Sequence, residues 1–430
     1  MEGIVFALIL VVLFAANVPV ALTLTAATVG FILVGSDFPL EIVPQRMWGG
    51  VKSTVLSAIP MYILAAILMN NMGVTERIFR FAHALVGHLR GGLYYVNVLG
   101  SVIFAGMSGS NTADVAGLGR IEIRAMIDAG YNRAYSAAIT AASSIIGPII
   151  PPSIILVVYA QLANVSTGQL FLAGILPGFV MALCLAAIIF VIVRTRDIAG
   201  VPLQRATLRE LLVSARDGFF ALMAPAIIVG GMTLGIVTPS EAGVLAVFYS
   251  LLLGLIYRSL SVEVVVRSLR EAAFFTGAIM LVIAASGAFG WAVNIMEVPE
   301  TIGTAIQAIT TNKWAALALI NIGLLLLGAL EAGSAALIIV APVLIYLGDL
   351  YGIDPVHLGI ITAINLTLGS MTPPVALSLF ISAQIAEVPM RRAVYAAIPF
   401  FLALVSSLMI VTYVPDFSLA LPHWLMGGGR

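Results

Sequence analysis

A six-residue element occurs twice in this chain. Gly147-Pro148-Ile149-Ile150-Pro151-Pro152 in the first half returns 222 positions later as Gly369-Ser370-Met371-Thr372-Pro373-Pro374. Each copy interrupts a long apolar run. Proline lacks an amide proton and its ring collides with the preceding turn, so neither run continues as one helix. The spacing extends beyond the element. Without a gap, Gly106 falls on Gly328, Gly130 on Gly352, Thr140 on Thr362 and Pro177 on Pro399. With slight slippage Met72–Glu76 matches Met296–Glu300, and Val18-Pro19 matches Thr238-Pro239. Two halves built on one plan, each with a broken helix, leave few folds open.

The solvent of these breaks follows from composition. Hydrophobic residues make up 61% of the chain and charged residues 9%, where a soluble domain carries roughly a quarter charged. The chain is therefore a membrane protein. Its formal net charge of zero argues against a nucleic-acid partner. The single cysteine, Cys184, rules out a disulfide framework and reads as a packed apolar side chain. His83, His88, His357 and His423 are scattered without metal-ligand spacing. The N-terminal run has no basic segment before it and no cleavage site, so it reads as a retained transmembrane helix.

Apolar runs long enough to span, about 20 residues each, lie near 3–35, 49–72, 132–163, 168–194, 218–237, 239–257, 270–295, 355–387 and 390–413. Two further stretches, 92–128 and 314–350, rise to a small polar tip and descend. Their tips are Ser108–Thr112 and Leu330–Ser334. They read as re-entrant helical hairpins; the alternative is an ordinary pair of spanning helices with the tip in water. Amphipathic stretches at 74–90 and 299–312 read as interfacial helices. The expected fold is an all-α polytopic membrane protein of two inverted repeats, each with a re-entrant helical hairpin and a discontinuous transmembrane helix. Residues 1–194 form the first repeat, 195–237 a polar linker (195–217) and an extra helix, and 238–430 the second repeat.

Arginine placement sets orientation. Arg194, Arg196, Arg205, Arg209 and Arg216 assign the linker to the cytoplasm, as Arg90, Arg120, Arg124 and Arg133 do the base of the first hairpin. Arg258, Arg267, Arg270, Arg391 and Arg392 mark further cytoplasmic ends, while Asp349 and Asp354 fit the outer face. Arg46 and Lys52 run against the scheme. It puts the N-terminus inside and the C-terminus outside.

In each broken helix the freed carbonyls, Gly147 and Ile150 among them, are expected to face a cavity. Oxygen ligands without fixed charge suit Na⁺, and unwound carbonyls of broken helices hold it. The tip Ser108–Thr112 is the natural companion of the first break. Leu330–Ser334, with Gly369, Thr372, Pro373 and Pro374, is its counterpart. Helix N-termini at the tips, near Ser110, Asn111, Gly333 and Ser334, suit an anionic substrate. A side chain at Gly147 or Gly369 is expected to weaken ion binding and leave the fold intact. Glu331 is a carboxylate at a hairpin tip at membrane depth, which marks it as functional. Asp114 either joins the site or hydrogen-bonds within its hairpin. Glu241, after Thr238-Pro239-Ser240, reads as a helix-capping charge.

Four segments carry a family resemblance: Phe104–Asp114, Gly147–Ser153, Gly235–Ala242 and Leu366–Pro374. They resemble the large membrane subunit of the tripartite ATP-independent periplasmic (TRAP) transporters, over nearly the whole chain. The resemblance implies Na⁺-driven import of small organic anions, usually carboxylates, by an elevator motion in a bacterial inner membrane. It also implies two partners, a small four-helix membrane subunit and a periplasmic substrate-binding protein. By that resemblance the first Na⁺ site uses backbone oxygens of Ser108, Gly147, Ile150 and Pro152. Repeat symmetry then suggests Leu330, Gly369, Thr372 and Pro374 for a second site. In the sialate branch, substrate contacts match Ser110 and Glu331, the latter often Asp in the family. A stand-alone divalent-anion/sodium symporter is the alternative within transport. An intramembrane hydrolase lacks a Ser–His, Asp–Asp or metal set at depth. A channel would not saturate or follow a Na⁺ gradient, and a scaffold has no use for paired breaks.

Overall fold

The structure is a computed structural model. It describes all residues except Met1, Asn17, Ser36, Asp197, Ala199, 201–204, Ala332 and 428–430. The first half comprises α1 (Glu2–Ala15), α2 (Val20–Gly35), α3 (Ile42–Val51), α4 (Ala58–Asn71), α5 (Val74–Val86), α6 (Gly92–Ser108), α7 (Asn111–Ala116), α8 (Leu118–Asp128), α9 (Arg133–Ser143), α10 (Ile154–Ala163) and α11 (Thr167–Thr195). The second half comprises α12 (Leu208–Thr233), α13 (Pro239–Ile256), α14 (Val262–Ile295), α15 (Val298–Ile309), α16 (Lys313–Leu330), α17 (Ser334–Tyr351), α18 (Pro355–Gly369), α19 (Leu377–Ile385), α20 (Met390–Tyr413) and α21 (Asp416–Met426).

Among the described residues, α11, α13, α14, α16, α17 and α20 are long and apolar enough to cross a membrane, and two bent pairs raise the number to eight. The protein is thus an all-α, multi-pass membrane protein. Both arms of the second tip, α16 and α17, are long enough on their own. At 1.5 Å per residue each reaches roughly 27 Å.

Four sequence expectations are corrected. The run 3–35 is two helices rather than one span, because Pro19 has no N–H to continue the ladder. α1 and α2 pack along each other across a short connection, the arrangement of antiparallel neighbours. The run 49–72 begins earlier, at Ile42, and breaks at Lys52–Thr54 into α3 and α4, with a 65° bend. The polar linker is shorter than 195–217, because α12 starts at Leu208. There Thr207 and Glu210 form a reciprocal capping box, and Thr207's amide and hydroxyl hold the Glu210 carboxyl below the usual carboxylate range. Asp197 and Gln204 of that linker lie outside the described residues. The chain also adds α21 after the last expected helix. Its residue Ser418 hydrogen-bonds buried His357 of α18 at 2.6 Å, which ties it to the bundle.

The expected amphipathic helices are present as α5 and α15. Glu241 closes a second capping box with Thr238, as its spacing implies. Two groups of helices result. In one, α14 packs on α2, α3 and α4, and α4 on α13. In the other, α9 packs on α6, α8, α19 and α20, and α16 on α18. The repeated breaks and both tips lie in the second group.

Candidate functional site

The first break is built from residues that cannot stay helical. α9 ends at Ser143 and passes through a 3-10 turn at Ser144–Ile146; α10 begins only at Ile154. Ser153 caps α10 by accepting the Leu156 amide at 3.3 Å, and its hydroxyl donates back to the Pro148 carbonyl. Between these points the carbonyls of Gly147, Ile150 and Pro152 accept no backbone hydrogen bond from the described residues. In an apolar surround three such acceptors call for a ligand or water. The break seats on α11 at two glycines. A Cβ on Gly174 would lie 2.1 Å from the Ile149 carbonyl, and one on Gly178 would lie 2.3 Å from the Ile150 side chain.

The first tip meets this break at two points. Gly109 adopts φ +58, and a Cβ there would lie 2.4 Å from the Pro152 carbonyl, so only glycine fits. Asp114 is buried, and its Oδ2 would lie 2.8 Å from a Cβ on Gly147. Ser108 donates to Asp114 Oδ1 at 2.6 Å, which is the bond within the hairpin that the sequence left open. Asp114 Oδ2 has no hydrogen-bond partner among the described residues. Ser108, Asp114, Gly147 and Pro152 are therefore brought together as one oxygen-rich seam. Ser110 caps α7 and pairs with the Thr112 hydroxyl at 3.1 Å.

Asn111 does something sequence reasoning missed. Its amide reaches the second break, donating to Ser370 Oγ at 2.6 Å and Ser378 Oγ at 3.2 Å. Those two hydroxyls pair with each other at 3.1 Å, and the Ser378 amide bonds the Ser370 carbonyl. Asn111, expected near the substrate, also joins the halves here through its side-chain amide. The sequence signal was present, since asparagine and serine are rare ornaments in apolar segments, but the pairing across 259 positions was not readable.

The second break is closed more tightly. The Gly369 carbonyl accepts the Thr372 amide at 2.8 Å, and the Thr372 carbonyl accepts the Ala376 amide at 3.1 Å. The Thr372 hydroxyl donates to the Leu368 carbonyl. A Cβ on Gly369 would lie 2.0 Å from the Gly328 backbone, so the break is pressed against α16. This overturns the expectation that a side chain at Gly369 leaves the fold intact. Both breaks contain a cis prolyl bond, Pro151–Pro152 and Pro373–Pro374. Leu330 ends α16; Glu331 follows in extended backbone, half-buried, its carboxylate without a hydrogen bond among the described residues. Gly333 and Ser334 open α17. Among the described residues no hydrogen bond joins the side chains of the second tip to those of the first.

Behind the first seam lies a polar cluster that the motifs did not announce. Asn97 donates to buried Glu122 at 2.5 Å and to Thr140 at 2.8 Å; Ser143 donates to Asn97 at 2.7 Å and accepts from Ser101 at 3.0 Å. It ties both arms of the first hairpin to α9. In the second half Asn365 donates to Asn321 at 2.7 Å, tying α18 to α16.

Glycine- and proline-interrupted segments at matching places in two halves of a multi-pass bundle are the pattern associated with transport proteins. Relatives give the family. The model of the tripartite ATP-independent periplasmic transporter DctM component matches residues 7–417, and the chain belongs to that family. It is a transport protein, not an enzyme. The chain is 36% identical to the sialic acid TRAP transporter large permease SiaM of Vibrio cholerae, covering 96% of this chain and 97% of that one. It is 38% identical to the C4-dicarboxylate TRAP transporter large permease DctM of Pseudomonas aeruginosa, covering 86% of each. Among solved structures the YdaH transporter of Alcanivorax borkumensis shares the fold, with TM-score 0.60, 17% identity, and coverage of 90% of this chain and 91% of that one.

Proposed function

We propose that the chain is the large transport subunit of a Na⁺-coupled importer of small organic anions, receiving substrate from a periplasmic binding protein and working with a small membrane subunit. The observation that carries this reading is the first seam: three break carbonyls free of backbone partners among the described residues, with the tip of hairpin one against the break, Gly109 at the Pro152 carbonyl and Asp114 beside Gly147. Ser108, Gly147, Ile150 and Pro152 hold one Na⁺. Leu330, Gly369, Thr372 and Pro374 form a second site once the Thr372 and Ala376 amides let go. Substrate binds between the tips, near Ser110, Asn111, Glu331, Gly333 and Ser334. A carboxylate at Glu331 repels another directly, so it receives a hydroxyl, an amine or a proton of the substrate. Relatives named for sialic acid and for C4-dicarboxylates support an organic-anion cargo.

The two packing groups support an elevator motion, with α2–α4, α13 and α14 as frame and the broken helices with their tips as the moving part. The two repeats run in opposite senses, and the chain lies in the bacterial inner membrane. Splitting 3–35 into two helices moves the N-terminus to the periplasmic side in this reading, while the arginine-rich ends stay cytoplasmic and the C-terminus periplasmic.

The test is uptake into proteoliposomes holding the full chain with its cognate small subunit and binding protein. Carboxylate uptake is expected to require an inward Na⁺ gradient and no ATP. Full uptake with Na⁺ absent on both sides overturns the coupling.

A further inference from the structure

Where the first turn of α9 meets the turn between α19 and α20, the surface is hollowed into a cavity of about 340 Å³. Arg133 and Arg392 line it from the two halves of the chain. Glu387 is the one carboxylate among its described lining residues, and it pairs with Arg133 at 3.3 Å, with both side chains largely in solvent. The lining thus carries an excess of positive charge.

Two helix ends add to that field. The first amides of a helix have no partner in the helix itself, and they favour an anion. Asn132 already takes the Ala134 and Tyr135 amides at the start of α9. The start of α20 has no such cap: Pro389 offers no side-chain acceptor. The open end of a 24-residue helix therefore borders the same hollow as Arg392.

An apolar stripe leads away from the hollow along α20. Tyr395, Ile398 and Leu402 follow Arg391 at four- and three-residue spacing, so the four share one face. Tyr395 is 62% exposed, Ile398 46% and Leu402 57%. Arg391 lies 5.9 Å from the Tyr395 ring centroid. Free phosphate has no use for an apolar stripe leading away from its site, whereas an acyl chain does. Basic pockets between membrane helices on the cytoplasmic side bind anionic headgroups.

We propose that this cavity binds the phosphate headgroup of an anionic phospholipid, with one acyl chain along Tyr395, Ile398 and Leu402. The lipid then bridges the first repeat, at Arg133, to the second, at Arg392.

The purified full chain is titrated by native mass spectrometry with phosphatidylglycerol and phosphatidylcholine of matched chains, and separately with glycerol phosphate and inorganic phosphate. Phosphatidylglycerol is expected to be retained preferentially. Arg133→Gln with Arg392→Gln is expected to lower that retention by about tenfold or more, two charges each contributing roughly fivefold at a headgroup. The Arg133→Lys, Arg392→Lys pair, which keeps the charge, is expected to restore most of it, separating lost charge from lost fold. Ile398→Ser with Leu402→Ser is expected to weaken the lipid alone. Equal retention of the two lipids, or retention unchanged in the glutamine pair, overturns the site. Displacement of phosphatidylglycerol by inorganic phosphate, indifferent to the serine pair, shows a free-anion site and overturns the lipid assignment.

Discussion

The two breaks start from one sequence plan and end as different objects. At the first, the carbonyls of Gly147, Ile150 and Pro152 have no backbone amide of the described residues directed at them, and the Pro152 carbonyl lies against Gly109 of the first tip. At the second, the carbonyls of Gly369 and Thr372 are already taken by the amides of Thr372 and Ala376. One matched position accounts for part of this. Ile150 stands where Thr372 does in the repeat, yet its amide turns back to the Ile146 carbonyl at 3.2 Å and leaves Gly147 alone. That turned amide leaves the Gly147 carbonyl open, and open oxygen acceptors are what a hard cation needs.

The contrast is easiest to break at the glycines, where the largest effect is expected. Gly369→Ala drives a methyl into the Gly328 backbone at 2.0 Å, whereas Gly147→Ala meets the Asp114 carboxylate at 2.8 Å and a backbone atom, the Ser144 carbonyl, only at 3.1 Å. Overpacking costs typically about 1–3 kcal/mol, and a clash with backbone belongs at or above the top of that range. The Gly369 variant is expected to fail to yield a stable monodisperse protein, and the Gly147 variant to fold but need more Na⁺ for half-maximal uptake. Size-exclusion profiles and Na⁺ titrations check both. A stable Gly369→Ala protein contradicts the tighter packing of the second break.

A smaller effect is expected at Glu331. Glu331→Gln keeps the size and removes the charge. A hydrogen bond to a charged group contributes roughly 1.5–3 kcal/mol, so uptake is expected to fall by about tenfold or more while assembly with the small subunit persists. Glu331→Asp is expected to retain transport with altered substrate preference. Parental kinetics in both variants, at every substrate and Na⁺ concentration, remove Glu331 from the site.

Asn111→Ala is expected to have the mildest effect of the three. It leaves Ser370 and Ser378 paired with each other but cuts the link between hairpin one and the second break. One such bond contributes about 1 kcal/mol, so uptake is expected to fall severalfold and the Na⁺ dependence to lose cooperativity. A Hill coefficient equal to that of the parent means the link carries no coupling.

Much of this was legible in the sequence. Proline and glycine act locally, so the breaks at Gly147 and Gly369, the Gly109 tip and the Thr238 capping box fall where the residues put them. Less legible were the ends and the partners. Pro19 lies inside a run so apolar that hydropathy alone reads through it. The start of α12 was hidden by the charges at Arg209 and Glu210, although Thr207 and Glu210 spell a capping box. The 65° bend at Lys52–Thr54 falls between α3 and α4, both packed on α14, and no residue there breaks a helix by itself. Asn111 and Glu122 sit in polar clusters whose other members are tens to hundreds of positions away, and no local pattern announces those partners.

The Asn111 bridge has a consequence for the two halves. Of two copies of one plan, each need serve only its own break. Here the first copy's tip serves both, and the described residues of the second copy's tip have no matching reach. A tandem of two first halves lacks Ser370 and Ser378, and a tandem of two second halves lacks the asparagine. The two halves are therefore not interchangeable, since a tandem of either one alone lacks one side of the bridge.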